Sequence, residues 1–400
     1  MKILQPYYYD EFKCIGDKCK STCCAGWGVW IEKKSFLKYR KVGGEFGKIL
    51  NKNLRKNRAR KNDNEYGEML LKSDLKCPLL NDNNLCELYI NSGEDYLSRT
   101  CQIHPRLINK YKEDILERNL QLTCPVVAKY LVEKRDSFEF VLKNESLTEI
   151  DIKGKVNWGN ISEETYNLCW KSREFMIDIA QFRDIEIWKR LIFIKLTQNK
   201  VKELIDNREI EKIDYKIEVL KKYITSASSI DLLDLNVNKN SIIKFEFVCT
   251  IINENLETNS YTDERFRSLI NILAEFGKKI SEKSESGIDE LEKQFDIYFK
   301  EKQYVLENYI VYDLYTYYMN SLEDLNIEKV VINLIVSCVV IKALLISLWS
   351  NEGILEDSHI EEVLYLYSKN MQQTSSRNLI YDFMKRKGYD SLPQISTLLY

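Results

Sequence analysis

Beyond residue 160 the chain alternates polar and apolar positions at helical spacing, and the first run opens on a recognisable start signal. Ser162-Glu-Glu-Thr165 puts a hydroxyl at the N-cap and two acids in the first turn, where the unpaired N–H groups and the helix dipole favour them. Trp170, Phe175, Ile179, Phe182 and Trp188 continue the apolar pattern, which predicts helix to about 205. The same period predicts helices over about 214–226, 241–253, 263–283, 288–322, 326–350 and 360–387. Between 137 and 160 the period changes: Phe138-Glu-Phe-Val-Leu142 and Thr148-Glu-Ile-Asp-Ile152 alternate and predict short strands. No fixed-period repeat or low-complexity tract is present. The pattern implies a mainly α protein: an irregular cysteine-rich domain over 1–135, a bridging segment over 136–160 and a helical domain over 161–400.

Val330 to Trp349 is apolar over about the length a bilayer requires. It also carries Asn333, Ser337 and Lys342, and a charge in mid-bilayer is expensive. A buried core helix is therefore the expectation, with no membrane partner. Met1-Lys-Ile-Leu-Gln-Pro6 has no apolar core and no small-residue cleavage site, so a cytoplasmic location is expected.

Composition adds three points. Only 5 prolines and 14 glycines interrupt 400 residues, in keeping with helices. A net charge of -2 provides no global field for nucleic acid, and none is expected as a partner. The basic stretch Lys33 to Lys61, with twelve Lys or Arg and the single acid Glu45, reads first as a solvated face.

Eleven cysteines are the strongest chemical signal, because eight fall within the first 124 residues. Cys14, Cys19, Cys23 and Cys24 form a close group; Cys77, Cys86, Cys101 and Cys124 are spread more widely. In a reducing compartment, clustered thiols read as metal ligands before disulfides, and soft sulfur suits zinc or iron–sulfur centres. Adjacent Cys23 and Cys24 cannot both aim at one ion from a regular element, so they demand an irregular turn or separate centres. Asn81-Asp-Asn-Asn84 is a turn that can bring Cys77 and Cys86 together. Spacing leaves zinc and iron–sulfur equally open, and the number of centres undecided. His104 is a further candidate ligand, whereas His359 has no cluster near it. Cys169, Cys249 and Cys338, scattered in helical sequence, read as small apolar residues.

The motif Pro6-x-Tyr8-x-x-x-Phe12-x-Cys14-Ile-Gly-x-x-Cys19-x-x-Thr22-Cys23-Cys24-x-Gly26-Trp27-x-Val29 resembles the opening of the flagellin lysine-N-methylase family. Cys77-Pro-Leu, Cys86-x-x-Tyr, Cys101-x-x-x-Pro-Arg and Cys124-Pro fit that family, and the broader zinc- or iron-chelating cysteine-cluster domain, in order and type. These motifs cover about the first 125 residues; the helical remainder agrees in length and character. The resemblance implies a methyltransferase that moves a methyl group from S-adenosylmethionine to lysine side chains of flagellin in the cytoplasm. It also implies an iron–sulfur cluster, of the 4Fe-4S type, held by the eight cysteines. A zinc-binding interaction module without catalysis is the alternative.

Methylating an amine requires the neutral amine, so the site must strip the proton of a lysine whose free pKa is about 10.4. No residue is identifiable as the base, and 25 tyrosines offer too many neutral neighbours to choose from. No G-x-G-x-x-G follows a strand; Gly43-Gly44-Glu-Phe-Gly47 has the wrong spacing. Cys19 and Cys23 give C-x3-C, but no third cysteine completes the radical-enzyme signature C-x3-C-x2-C.

Overall fold

Ser162 caps its helix as the sequence indicates: the hydroxyl accepts the Thr165 N–H at 3.2 Å and the helix runs Glu163–Ala180. This comes from a computed structural model, which describes residues 1–59, 62–111, 115–145, 162–225, 241–258, 262–281 and 285–399. The segment Thr148 to Ile152 lies outside them. Helices occupy 66% of the structure, which makes it mainly α.

Three of the long runs are broken where periodicity joined them. The first ends at Gln181, and a second helix, Ile187–Asp206, follows a turn. Arg190 holds that turn, donating to the carbonyls of Ala180 and Ile185 at 2.8 and 2.7 Å, so the helix end is not left bare. The run 288–322 becomes Glu285–Phe299, Tyr304–Tyr317 and a 3-10 segment, Tyr318–Glu323. The run 360–387 becomes Asp357–Met371 and Thr374–Lys387, and a last helix, Leu392–Leu399, was not expected. Apolar residues stand on both sides of each break, so periodicity alone does not reveal the turns. Ile213–Thr225, Ser241–Thr258 and Glu264–Ser281 match their expected runs closely at the N-terminal end.

The apolar run at 330–349 is the central helix, Ile327–Glu352. Asn326 caps it by accepting the Lys329 N–H at 3.0 Å. It is the one helix among the described residues long and apolar enough to cross a membrane, and its apolar window is wholly buried inside the fold. Lys342, within that window, is paired: its ammonium lies 2.9 Å from both Glu292 and Asp296. A second lysine, Lys244, reaches Glu292 at 2.7 Å. Burial alone would push the Glu292 carboxyl up, but these two ammonium groups outweigh it and hold it down at about 2.

The first 145 residues form two small sheets that the sequence did not announce. The strands are β1 (Lys2–Pro6), β2 (Val29–Ile31), β3 (Leu54–Lys56), β4 (Gly67–Met69), β5 (Arg106–Lys110), β6 (Ile115–Leu120) and β7 (Phe140–Asn144), and the three-residue β2, β3 and β4 are too short to carry a clear alternation. One sheet has the order β5-β6-β1-β7, with β1 parallel to β6 and antiparallel to β7. The second, β2-β4-β3, is antiparallel. Among the described residues only β7 overlaps an expected strand, Phe138 to Leu142, and it is shifted two residues toward the C-terminus.

One apolar core joins Tyr8, Phe12, Leu120, Leu122 and Val127 to Leu168, Leu191, Val311, Leu344 and Leu364 of the helices. A smaller core of Val29, Ile31, Phe36, Tyr39, Leu50, Leu54, Met69, Cys77, Leu79 and Leu88 stands apart. Cys24, Cys86 and Cys101 pack against it.

The glycine-rich stretch belongs to this smaller core. Gly44, at φ +72°, opens the helix Gly44–Lys52. A methyl group on Gly47 would stand 2.1 Å from the Val42 carbonyl oxygen, so only glycine fits. Gly47→Ala should therefore destabilise the protein by about 1–3 kcal/mol, read as a lower urea midpoint. An unchanged midpoint would mean the helix can shift away from Val42. The basic stretch around it is partly neutralised within the fold: Lys33 pairs with Asp63 at 3.3 Å, Arg55 with Glu68 at 2.6 Å, and Lys38 lies 3.6 Å over the Tyr96 ring.

Candidate metal centre

The eight N-terminal cysteines are all free thiols, placed on irregular backbone and at helix starts. The loop from Cys14 to Val29 contains one 3-10 turn, Gly16–Lys18, with Gly16 at φ +54°. Thr22 fixes the next bend by accepting the Cys24 N–H at 3.1 Å, and the Trp27 indole donates to the Cys23 carbonyl at 2.6 Å. The Cys24 carbonyl then accepts the Cys77 N–H at 2.7 Å, which ties the first cysteine group to the second.

Asn81 builds the turn between Cys77 and Cys86. Its side-chain oxygen accepts the N–H groups of Asn83 and Leu85 at 3.0 and 2.9 Å, and Leu80 pairs with Cys86 across it. Cys86 is the N-cap of Glu87–Ser92, and Cys101 lies in Arg99–Ile103. Cys124 is the N-cap of Pro125–Glu133, with Pro125 at the first helical position, where its missing N–H costs nothing.

The sulfurs fall into two neighbouring sets. Cys23, Cys24, Cys77, Cys86 and Cys101 lie within electrostatic reach of one another. Cys14, Cys19 and Cys124 form the second set, joined to the first through Cys19 and Cys23. The irregular turn also settles how adjacent cysteines lie: the Cys24 thiol hydrogen-bonds to the Cys23 sulfur. That contact holds Cys23 down at about 7 and pushes Cys24 up.

Burial pushes Cys77 up to about 11 and both Cys101 and Cys124 up to about 12. It raises Cys19 and Cys86 as well. Desolvated thiols beside one another resist ionisation, because each thiolate repels the next. A cation among them removes that repulsion and draws off their protons. The donor set, all sulfur and partly buried, thus fits a thiolate-bound zinc or iron–sulfur centre. Among the described residues no three Cys, His, Asp or Glu side chains close on a single ion, so the thiols form a loose group rather than a finished coordination shell.

The remaining candidates have structural surroundings. The His104 ring lies 5.7 Å from that of Trp27, tilted by 33°. His359 accepts the Glu356 N–H at 3.4 Å and completes a helix cap. Cys169 and Cys338 are buried in the core, and Cys249 is half-buried.

The sequence reading missed Lys369. This mostly buried lysine, on Asp357–Met371, reaches across 348 residues to Ser21 Oγ and the Thr22 carbonyl, each at 3.2 Å. Asp263 balances it at 2.8 Å. Its charge acts on Cys19 and Cys23 and favours their thiolates. The one sequence hint is a lysine placed in the apolar run Val363 to Met371.

The profile of the FliB lysine N-methylase C-terminal domain matches residues 173–398, over half of the chain. A lysine-N-methylase of Salmonella typhimurium (strain LT2) is 28% identical over 144 residues, 34% of this chain and 33% of that protein. The same values hold for a lysine-N-methylase of Salmonella choleraesuis. The flagellar biosynthetic protein FliU of Salmonella muenchen is 30% identical over 137 residues, 34% of this chain and 79% of its own length. The alignments thus span about a third of the length of the two lysine-N-methylases. No solved structure matches the chain. The helical part carries the profile and the N-terminal part carries the cysteines, and the chain belongs to the FliB lysine N-methylase family.

Proposed function

We propose that the protein is a cytoplasmic lysine N-methyltransferase that transfers a methyl group from S-adenosylmethionine to lysine side chains of flagellin. The match of residues 173–398 to the lysine N-methylase domain carries this reading. The flagellar name of the FliU relative supports flagellin as the acceptor. In the transfer, the bond from the sulfonium sulfur to its methyl carbon breaks as a bond from the lysine nitrogen to that carbon forms. The donor leaves as a thioether and the amine gives up a proton. No nucleic acid or membrane takes part in this reading.

The eight N-terminal cysteines are proposed to hold an iron–sulfur cluster, with Cys23, Cys24, Cys77, Cys86 and Cys101 as its main donors. Bound by only three of these thiols, a four-iron cluster would leave one iron free to polarise a ligand; bound by four, it would be closed. The chain's own part is to place and neutralise the thiols. Thr22, Trp27 and Asn81 fix the backbone that carries them, and Lys369 adds a positive charge beside Cys19 and Cys23.

The test combines two measurements on protein purified without oxygen. Iron and acid-labile sulfide are expected in the chain, and incubation with S-adenosylmethionine and flagellin is expected to add 14-Da steps to flagellin peptides that contain lysine. Zinc without sulfide would replace the cluster by a zinc site. Unmodified flagellin with a metal-loaded protein would overturn the methyltransferase reading.

A further inference from the structure

Buried polar atoms are nearly always hydrogen-bonded, so unpaired ones gathered at one place call for a physical cause. Asp313 Oδ1, Gln372 Oε1 and Arg377 Nη2 are three such atoms. Asp313 is fully buried, and Gln372 and Arg377 keep 7% and 9% of their surface. The same three side chains are bonded to one another through Asp313 Oδ2. Gln372 Nε2 donates to Tyr309 Oη at 2.7 Å and to Asp313 Oδ2 at 2.9 Å. Arg377 Nη1 donates to the same Asp313 Oδ2 at 3.2 Å.

This arrangement fixes which atoms are left over. Only the NH2 end of the Gln372 amide can face a carboxylate oxygen, so its carbonyl oxygen must point elsewhere. Two donors converge on Asp313 Oδ2 and leave Oδ1 bare. The Arg377 guanidinium lies 4.1 Å over the Tyr317 ring, which sets its plane. The network therefore holds two acceptor oxygens and one guanidinium nitrogen that have no partner within the protein.

An α-amino acid has the complementary groups: an ammonium with three N–H donors and a carboxylate that accepts from a guanidinium. We propose that Asp313, Gln372 and Arg377 bind the amino-acid end of the methyl donor, an inference that rests on S-adenosylmethionine being that donor. The ammonium donates to Asp313 Oδ1 and Gln372 Oε1, and Arg377 Nη2 donates to the carboxylate. The location agrees. Gln372 follows directly on the helix Asp357–Met371, whose Lys369 touches Ser21 and Thr22 in the cysteine loop. About one helical turn thus separates this network from the residue that contacts the candidate metal centre. All three residues lie within the segment matched by the lysine N-methylase domain.

The test measures binding to the full-length, anaerobically purified protein by titration calorimetry. S-adenosylmethionine and S-adenosylhomocysteine carry the amino-acid end; methylthioadenosine lacks it. The native protein is expected to bind the first two at least about tenfold more tightly than the third. Arg377→Lys keeps a cation beside Asp313 but removes the Nη2 arm of the guanidinium fork, and Gln372→Met removes the amide oxygen at similar length. Each should weaken the first two ligands by about 10- to 100-fold and leave methylthioadenosine within about twofold.

Variants that keep the full preference for the amino-acid ligands would overturn the proposal and leave the three atoms to an internal water. Loss of methylthioadenosine binding together with the others would also overturn it, by making the network purely structural. A native protein that binds none of the three would instead refute S-adenosylmethionine as the donor.

Discussion

Replacing Cys101 with serine is expected to cut the metal bound per chain by at least about tenfold, because a hydroxyl is a far poorer ligand than a thiolate for zinc or iron. Cys101 lies at the small core and within electrostatic reach of Cys23, Cys77 and Cys86, so its loss also leaves the rest of the set incomplete. Cys249→Ser is the matched control: that thiol is half-buried in the helical part and should leave metal content unchanged. Cys14→Ser tests the division into two sets. If the sets hold separate centres, it should lower metal content by part and spare the centre at Cys101. If they share one, it should act as Cys101→Ser does. Metal and sulfide analysis of anaerobic protein reads all three variants, and a fully loaded Cys101→Ser protein would remove Cys101 from the ligands.

The same thiols give the pH dependence. Metal binding requires thiolates, and burial raises Cys77, Cys101 and Cys124 to about 11 or 12 in the metal-free protein. Protons therefore compete with the metal across the neutral range, and retention should weaken steadily as pH falls. Cys23, held at about 7 by the Cys24 thiol, ionises before Cys77, Cys101 and Cys124.

Much of the helical part was legible because it follows local rules. Ser162 signalled its cap through a hydroxyl and two acids, and the 326–350 run was long enough to stand out as a helix. The breaks at Gln181 and Gln372 were not legible, since their causes are distant: Arg190 folds back on the first, and Tyr309 and Asp313 hold the second. The N-terminal strands were hidden by length, as three-residue β2, β3 and β4 cannot display a period. The cysteines were visible as a group, and Asn81 announced the turn joining Cys77 to Cys86. What spacing could not give was their partition. That depends on the Cys24 to Cys77 backbone bond and on Lys369, which lies 347 residues along the chain from the Thr22 it contacts. Asp313, Gln372 and Arg377 were invisible for the same reason, being ordinary polar residues until the fold buries them together.

The other large effect lies where the N-terminal sheet meets the helices. Glu117, on β6, and Arg173, on Glu163–Ala180, form an ion pair with side chains only 2% and 1% exposed. Arg173 Nη1 donates to Glu117 Oε2 at 2.8 Å, and its second arm reaches Oε1. The guanidinium also lies 4.5 Å from the Trp170 ring and 5.4 Å from that of Tyr315. A pair buried this deeply gains little over apolar packing, but breaking it strands a charge away from water. Arg173→Met should therefore cost about 3–5 kcal/mol, because Glu117 remains without its partner. The double variant Glu117→Leu/Arg173→Met should be clearly more stable than Arg173→Met alone, since no charge is left behind. Urea unfolding of the native protein, both single variants and the double variant gives the coupling directly. A cost below about 1 kcal/mol for Arg173→Met would mean that water reaches Glu117. Additive losses would mean that the two side chains act independently and that the sheet and the helices are joined by apolar contact alone.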